Sequence, residues 1–277
     1  MKRDVSQVVT GNRAVDGAGV NLVRVLGRET TRDFDPFLML DAFDSTDPRD
    51  YVKGFPWHPH RGIETVTYLV SGHIEHGDSL GNKGDILDGG CQWMTAGSGI
   101  MHQEMPKASP RMLGLQLWLN LPRKDKMTPP KYHDILSQDV PEVRGDGSRV
   151  RVISGEYGGA RGVMSGDHVQ MTMLDVELQP GKTFRAATPE GETAFAYLMA
   201  GAGAFGASGM KLEEKRAALF TPGTELSFTA GDSSLRLVLF MAAPLREPIA
   251  WGGPIVMNTR EELQLAFEEL DRGTFIK

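Results

Sequence analysis

The stretches FPWHPH at residues 55–60 and GIMHQE at residues 99–104 decide how this chain is interpreted, because each carries two potential metal ligands one residue apart. The first pair is His58 and His60, and the second is His102 and Glu104. In an extended strand, residues i and i+2 project from the same face, so each pair can converge on one point. Together the two pairs predict a four-ligand metal site.

Three imidazoles and one carboxylate form a nitrogen and oxygen donor set without a thiolate. Such a set suits Fe(II), Mn(II), Ni(II) or Co(II), and a six-coordinate ion would keep two positions for substrate or water. The ligand types are therefore compatible with a reactive metal centre.

The sequence around these pairs has the pattern of short β-strands. Residues 63–70 are rich in β-branched and aromatic side chains, and leucines alternate with other residues from 113 to 119. Turns of glycine, asparagine and aspartate separate such runs at intervals of about eight to twelve residues, which predicts an antiparallel sandwich or a small barrel. Pro59 cannot donate to a sheet ladder, so it marks an edge strand, a strand start or a bulge.

The composition is that of an ordinary soluble globular protein. The chain has 277 residues, of which 40% are hydrophobic, and a net charge of -6 without a long run of lysine and arginine. We therefore expect no direct contact with nucleic acid and none with an anionic membrane. Because no uninterrupted apolar run approaches about eighteen residues, we expect a cytoplasmic protein. The single cysteine, Cys91, excludes an internal disulfide and is expected to be a small buried hydrophobe.

The second half of the chain repeats the first. A forward shift of 129 positions superimposes Gly62 on Gly191 and Tyr68 on Tyr197, and the alternating leucines recur from residue 235. The identities are few, but their order is kept, which indicates a duplicated β-unit.

The duplication predicts that only the first copy binds metal. The same shift places Ala187 and Pro189 at the positions of the first ligand pair, and a shift of 126 places Phe228 and Ala230 at those of the second. The second copy is therefore expected to support the first, by packing against it or by walling one side of its cavity.

The chain ends in a predicted amphipathic helix. Thr259 and Glu262 have capping-box spacing, and Leu263, Phe267 and Leu270 follow at helical intervals. This helix is expected to pack on a sheet of its own chain, with a neighbouring chain as the alternative.

Several longer segments resemble the pirin family of the cupin superfamily. They are FPWHPHRGIETVTYL at residues 55–69, HGDSLGN at 76–82, QWMTAGSGIMHQE at 92–104 and LQLWLNLP at 115–122. The resemblance implies an all-β fold of two cupin-type antiparallel barrels, a jelly-roll-like bicupin, with a C-terminal α-helix. It further implies a metal-binding barrel over residues 1–133 and a barrel without ligands over residues 134–277.

The same resemblance implies that iron is held by His58, His60, His102 and Glu104. A general cupin would use the carboxylate that follows the first pair, here Glu64. Glu104 is preferred because it shares the face of His102. The cofactor implied is one divalent ion, Fe(II) first, with manganese, nickel, cobalt or zinc as alternatives.

The other polar and aromatic candidates are expected to have lesser roles. Asp78 and Ser79 are candidates for contacts that orient a ligating imidazole. His73 and His76 are expected to be structural or solvated, and His133 and His168, outside the motifs, are expected to have no role. The expected core aromatics are Trp93 and Trp118.

The resemblance implies a metal-dependent dioxygenase of the quercetin 2,3-dioxygenase type, which cleaves a flavonol with dioxygen and releases carbon monoxide. In this hypothesis Glu104 accepts the proton of the flavonol 3-hydroxyl. The alternative is a non-enzymatic, iron-dependent regulatory protein whose iron oxidation state alters its affinity for a protein partner. A sugar isomerase is a third, weaker hypothesis.

Overall fold

The chain folds into antiparallel β-sheets with one α-helix, as predicted. The structure is a computed structural model that describes residues 1–277. It contains two compact units. The site unit comprises Asn12–Glu29, Phe37–Ser137 and Leu245–Lys277, and the second unit comprises Met1–Gly11, Thr30–Pro36 and Gln138–Pro244.

The strands and helices have the following bounds. The first strands are β1 (Val5–Thr10), β2 (Asn12–Asp16), β3 (Val20–Leu26), β4 (Phe37–Ser45), β5 (Phe55–His60), β6 (Ile63–Ser71), β7 (Ile74–Asp78), β8 (Lys83–Ile86), β9 (Cys91–Thr95), β10 (Ile100–Pro106), β11 (Met112–Asn120), β12 (Lys131–Ile135) and β13 (Glu142–Gly145). They are followed by β14 (Ser148–Ser154), β15 (Glu156–Tyr157), β16 (Ala160–Arg161), β17 (Met171–Leu178), β18 (Thr183–Ala187), β19 (Thr193–Ala200), β20 (Ala202–Phe205), β21 (Met210–Glu213), β22 (Arg216–Phe220), β23 (Glu225–Ala230), β24 (Leu235–Ala242), β25 (Ala250–Gly252), β26 (Ile255–Met257) and the helix α1 (Arg260–Asp271). Short 3-10 helices span Arg28–Thr30, Pro48–Asp50, Arg123–Asp125 and Ser137–Asp139.

The two units have the same sheet topology. The site unit has a seven-stranded sheet in the order β12-β9-β6-β11-β4-β3-β2 and a four-stranded sheet in the order β5-β10-β7-β8. The second unit repeats both, as β1-β22-β19-β24-β17-β14-β13 and β18-β23-β20-β21. The strand order confirms the duplication inferred from sequence.

Each end of the chain belongs to the unit opposite to the one expected from a division after residue 133. Strand β1, at the amino terminus, forms the edge of the second unit, where it pairs with β22. The carboxyl-terminal segment Leu245–Lys277 belongs to the site unit. In the site unit the equivalent edge strand is β12, which follows the rest of the sheet in sequence.

The cross-strand pairs correct one part of the predicted alignment. His58 lies opposite His102 in the site unit, and Phe184 lies opposite Phe228 in the second unit. The counterparts of His58 and His60 are therefore Phe184 and Ala186, and not Ala187 and Pro189. Two residues connect β5 to β6 but five connect β18 to β19, so a shift read from β6 overshoots by three positions in β5.

The predicted counterparts of the second ligand pair have the correct inward face. Phe228 and Ala230 are buried in the interior of the second unit, as His102 and Glu104 are in the site unit. Phe228 stacks on Phe184 at 4.7 Å and 12° between ring planes. Apolar side chains therefore fill the volume that the ligand positions occupy in the site unit.

The interior of the site unit is divided by polar residues. Along β6, Ile63 and Leu69 belong to two different apolar clusters, and Thr65 and Thr67 lie between them on the same face. The polar positions at the same level are Gln116 on the neighbouring strand β11 and His102 and Glu104 on β10 of the four-stranded sheet. We call these buried residues, with His58, His60 and His76, the polar layer. Burying polar groups opposes folding unless they find partners, so the polar layer needs a reason other than packing.

Helix α1 packs on its own unit, as expected. The capping box is present, since the Thr259 hydroxyl accepts from the Glu262 amide at 3.2 Å and the Glu262 carboxylate accepts from the Thr259 amide at 3.0 Å. Ala266 packs with Ile255 and Met257 of β26. At twelve residues, α1 is too short and polar to cross a membrane, and no other helix could do so.

We expect Phe228→Ala to destabilise the second unit, because it removes a fully buried ring from an aromatic stack. The free energy of unfolding should fall by about 3–5 kcal/mol. The control Leu265→Ala, at a side chain that is 52% exposed, should change it by less than about 0.5 kcal/mol. Urea unfolding compares the two variants, and equal stabilities would contradict this account of the core.

Candidate metal centre

The three predicted histidines come together in the site unit. Strand β5 is the edge of the four-stranded sheet and pairs with β10, which places His58 directly opposite His102. One ring nitrogen from each of His58, His60 and His102 lies within 4.8 Å of those of the other two. Pro59, between the first pair, sits on an edge strand, which is one of the positions predicted for it.

Backbone carbonyls orient the first pair. Nδ1 of His58 lies 2.8 Å from the Pro56 carbonyl oxygen, and Nδ1 of His60 lies 3.0 Å from that of Pro254. A carbonyl can only accept a hydrogen bond, so each Nδ1 carries the proton. In the neutral rings both Nε2 atoms then present lone pairs, and these atoms are 3.1 Å apart. A cation between or beside them would relieve that repulsion.

The third imidazole has no hydrogen-bond partner. His102 is completely buried, and neither of its ring nitrogens is bonded to another group of the protein. Burial lowers the pKa of His60 to about 3, with the neighbouring His58 as a lesser cause, and lowers the pKa of His102 well below its usual value for the same reason. Neutral imidazoles are the form that ligates metals. The three histidines could therefore hold a metal ion.

The carboxylate of Glu104 is held by two other side chains. Its Oε1 accepts a hydrogen bond from the Thr67 hydroxyl at 2.9 Å, and its Oε2 accepts one from Nε2 of Gln116 at 2.6 Å. It is not among the residues whose ligand atoms converge within 4.8 Å. A bulge lies between His102 and Glu104 in the pairing of β10 with β5, and bulges re-aim side chains. That Glu104 is a fourth ligand stays a prediction.

The alternative carboxylate, Glu64, faces away from the histidines. It is three residues from Thr67 on β6, so the two side chains lie on opposite faces of the strand. Its carboxylate accepts from the Thr95 hydroxyl at 2.6 Å. This arrangement agrees with the preference for Glu104 over Glu64.

Asp78 and Ser79 do not orient a ligating imidazole. Asp78 accepts hydrogen bonds from the Leu80 amide and from the backbone and side chain of Asn82, and so shapes the turn after β7. The Ser79 hydroxyl accepts from the Met101 amide at 3.1 Å. The oxygen of Asp78 nearest to His76 is 3.8 Å from its Nε2, too far for a hydrogen bond.

His76, which was expected to be structural or solvated, is a buried member of the polar layer. It lies opposite Glu104 in the pairing of β10 with β7, and its ring is 5.3 Å from that of His102. Tyr132 stacks on it at 4.8 Å, and neither of its ring nitrogens has a hydrogen-bond partner. By contrast, His73 lies nearer the surface, 2.6 Å from Asp85.

Sequence reasoning also missed Thr67 and Gln116. Gln116 interrupts an otherwise apolar alternation on β11, which is the one signal that could have marked it. Trp118, two residues further on the same face, meets the ring of His60 edge-on at 4.9 Å. Trp93 is fully buried, as expected of a core aromatic.

The low histidine pKa values predict how stability depends on pH. In the unfolded chain, histidine titrates near its ordinary value of 6.5, whereas folded His60 resists protonation down to about pH 3. Between these values the unfolded state binds more protons, so the free energy of unfolding falls as pH falls, by up to about 1.4 kcal/mol per pH unit for each proton. His60→Gln should have a shallower slope than the wild type in urea unfolding of the metal-free protein. His133→Gln is the control, and equal slopes for the wild type and His60→Gln would contradict the prediction.

Comparisons with known proteins find matches in both halves of the chain. The pirin family model matches residues 19–119, and the model of the pirin C-terminal cupin domain matches residues 173–276. A Pseudomonas aeruginosa protein, provisionally named a quercetin 2,3-dioxygenase, is 41% identical over 278 residues, which cover 98% of this chain and 97% of that protein. A pirin-like protein of Caulobacter vibrioides is also 41% identical, over 276 residues and 99% of both chains.

A solved structure shares the whole fold. The crystal structure of quercetin 2,3-dioxygenase from Acinetobacter baumannii is 33% identical, covers 99% of each chain and superimposes with a TM-score of 0.90. Both halves of the chain match pirin models, and its relatives are similar over nearly their full length. The chain belongs to the pirin family.

Proposed function

We propose that this protein is an iron-dependent dioxygenase that cleaves flavonols such as quercetin, releasing carbon monoxide. The observation that carries the proposal is the convergence of three imidazoles beside a buried carboxylate. The names of the P. aeruginosa and A. baumannii relatives, which mention quercetin 2,3-dioxygenase, support the same choice of substrate.

His58, His60 and His102 would hold the ion. When bound, a divalent metal supplies Lewis acidity that lowers the pKa of a hydroxyl group coordinated to it. Nitrogen ligands without a thiolate suit Fe(II), and also Mn(II), Co(II), Ni(II) and Zn(II). The carbonyl oxygens of Pro56 and Pro254 keep the rings in the tautomer that ligation requires.

Glu104 is assigned the role of general base. Each of its oxygens accepts one hydrogen bond from the protein, and a carboxylate oxygen has a second lone pair. That lone pair can accept the proton of the flavonol 3-hydroxyl. Because Glu104 is only 2% exposed, water does not compete freely for the proton.

An aromatic wall beside His60 suits a planar substrate. Trp118 contacts His60, and Trp251 lies 5.8 Å from Trp118 and is partly exposed. Such rings favour offset or edge-on contacts with other aromatic rings. They could position the flavonol while its oxygens face the metal.

We expect one metal ion per chain after reconstitution with Fe(II) under nitrogen. His58→Ala, His60→Ala and His102→Ala should each reduce the metal content several-fold, because each removes a ligand. His133→Ala, outside the cluster, should keep the wild-type content. Elemental analysis measures the ratio, and full iron in all three variants would refute the site.

We expect the iron-loaded protein to consume quercetin in air. Loss of the flavonol absorbance should accompany one equivalent of carbon monoxide, and His60→Ala should abolish both. Glu104→Gln should lower kcat by about 10²–10⁴-fold, the contribution usual for a general base.

Free Fe(II) at the same concentration is the control for uncatalysed oxidation. A protein that binds iron but consumes quercetin no faster than this control is not a quercetinase. That outcome would favour the iron-dependent binding protein as the function.

A further inference from the structure

The carboxylate of Glu104 is anchored from the opposite side of the site unit. Glu104 belongs to β10 of the four-stranded sheet, whereas Thr67 and Gln116 belong to β6 and β11 of the seven-stranded sheet. Thr67 and Gln116 lie directly opposite each other in the pairing of β11 with β6. Nε2 of Gln116 donates to Glu104 and also lies 3.3 Å from the Thr67 hydroxyl. The three side chains form a closed, buried triangle, which we call the carboxylate clamp.

The clamp gives each carboxylate oxygen a different donor. The Thr67 hydroxyl donates a hydrogen bond to Oε1 at 2.9 Å, and the Gln116 amide donates one to Oε2 at 2.6 Å. Two donors on two oxygens fix the plane of the carboxylate as well as its position. Hydrogen bonds to an ionised group are about twice as strong as neutral ones, so this orientation is firmly held.

The second unit shows that the barrel does not require the clamp. Tyr68 and Tyr197 are equivalent positions of the two halves. The residues that precede them, Thr67 and Ala196, are therefore equivalent as well. The counterparts of Thr67, Gln116 and Glu104 are Ala196, Leu239 and Ala230.

All three polar groups are thus replaced together by apolar ones. Ala196 and Leu239 are again direct cross-strand neighbours, and the same strand order forms around them. Their burial within one apolar cluster shows how the same topology packs without a polar layer. If the clamp only stabilised the barrel, there would be no reason for it to occur in the unit with the histidines and not in the other.

We propose that Thr67 and Gln116 are positioning residues that hold the Glu104 carboxylate ready to take the proton of the ligand hydroxyl. This rests on the function proposed above for Glu104. Neither residue touches the substrate; both act through the carboxylate. The orientation that they impose leaves a lone pair on each oxygen free for the incoming proton.

The test compares two substitutions at one position. Thr67→Val keeps the shape of the side chain but removes its donor, and Thr67→Ser keeps the donor. Thr65→Val is the matched control, since Thr65 is an equally buried threonine two residues earlier on the same face and makes no hydrogen bond to Glu104. Each variant is made in the wild type and in a Glu104→Ala background.

In the iron-loaded protein, Thr67→Val should lower kcat for quercetin at least tenfold, with KM changed less than threefold. This is the fold-change expected from losing one hydrogen bond to a charged group. Thr67→Ser should restore most of the rate, and iron content should stay near one per chain throughout. In the Glu104→Ala background, Thr67→Val should have no further effect. An equal loss in that background, or no rescue by serine, would overturn the proposal.

A second measurement needs neither metal nor flavonol. The metal-free protein is unfolded thermally, and Thr67→Val should lower the midpoint more in the wild type than in the Glu104→Ala background, whereas Thr65→Val should act equally in both. If the wild type does not consume quercetin, the proposed function fails while this cycle still decides whether Thr67 acts on Glu104. Additive shifts would overturn the clamp itself.

Discussion

Two lone pairs, on Nε2 of His58 and Nε2 of His60, face each other across 3.1 Å, and the chemistry of the site depends on that contact. A change of tautomer does not remove this contact, because each Nδ1–H group donates a hydrogen bond to a backbone carbonyl oxygen. His60 cannot easily escape it by protonation either, because burial lowers its pKa to about 3. A site that holds neutral donors so close together is built for a cation.

The duplicated topology separates what the barrel needs from what the site needs. Both units build the same seven-stranded and four-stranded sheets, yet only one has a polar layer. In the second unit Phe184 and Phe228 stack at the positions of His58 and His102. An apolar interior needs no hydrogen-bond partners, so it is the simpler way to fill this fold. The site unit keeps buried polar groups that its own duplicate lacks.

Much of this arrangement could be predicted from sequence, because period-two spacing and the family resemblance are both local signals. They placed His58, His60 and His102 correctly, and the alternating leucines revealed the repeat. The alignment of the first pair failed by three residues because connections between strands tolerate extra length without changing the sheet. Gln116 was missed for another reason. Its partners, Glu104 and Thr67, come from other strands, and a lone polar residue in an apolar run does not say which group it will meet.

The carboxyl-terminal segment shows why a His-x-His motif is not complete by itself. The carbonyl that fixes the tautomer of His60 belongs to Pro254, 194 positions later in the chain. Arg61, the residue after His60, is buried. Its guanidinium group donates to the Phe275 carbonyl oxygen at 2.8 Å and to the Glu269 carboxylate at 2.7 Å. These contacts tie β5 to the helix and tail that follow Pro254. The segment was expected to end the second barrel, but the structure uses it to orient a histidine of the first. The local motif supplies the imidazole, and the far end of the chain determines which of its nitrogens can bind a metal.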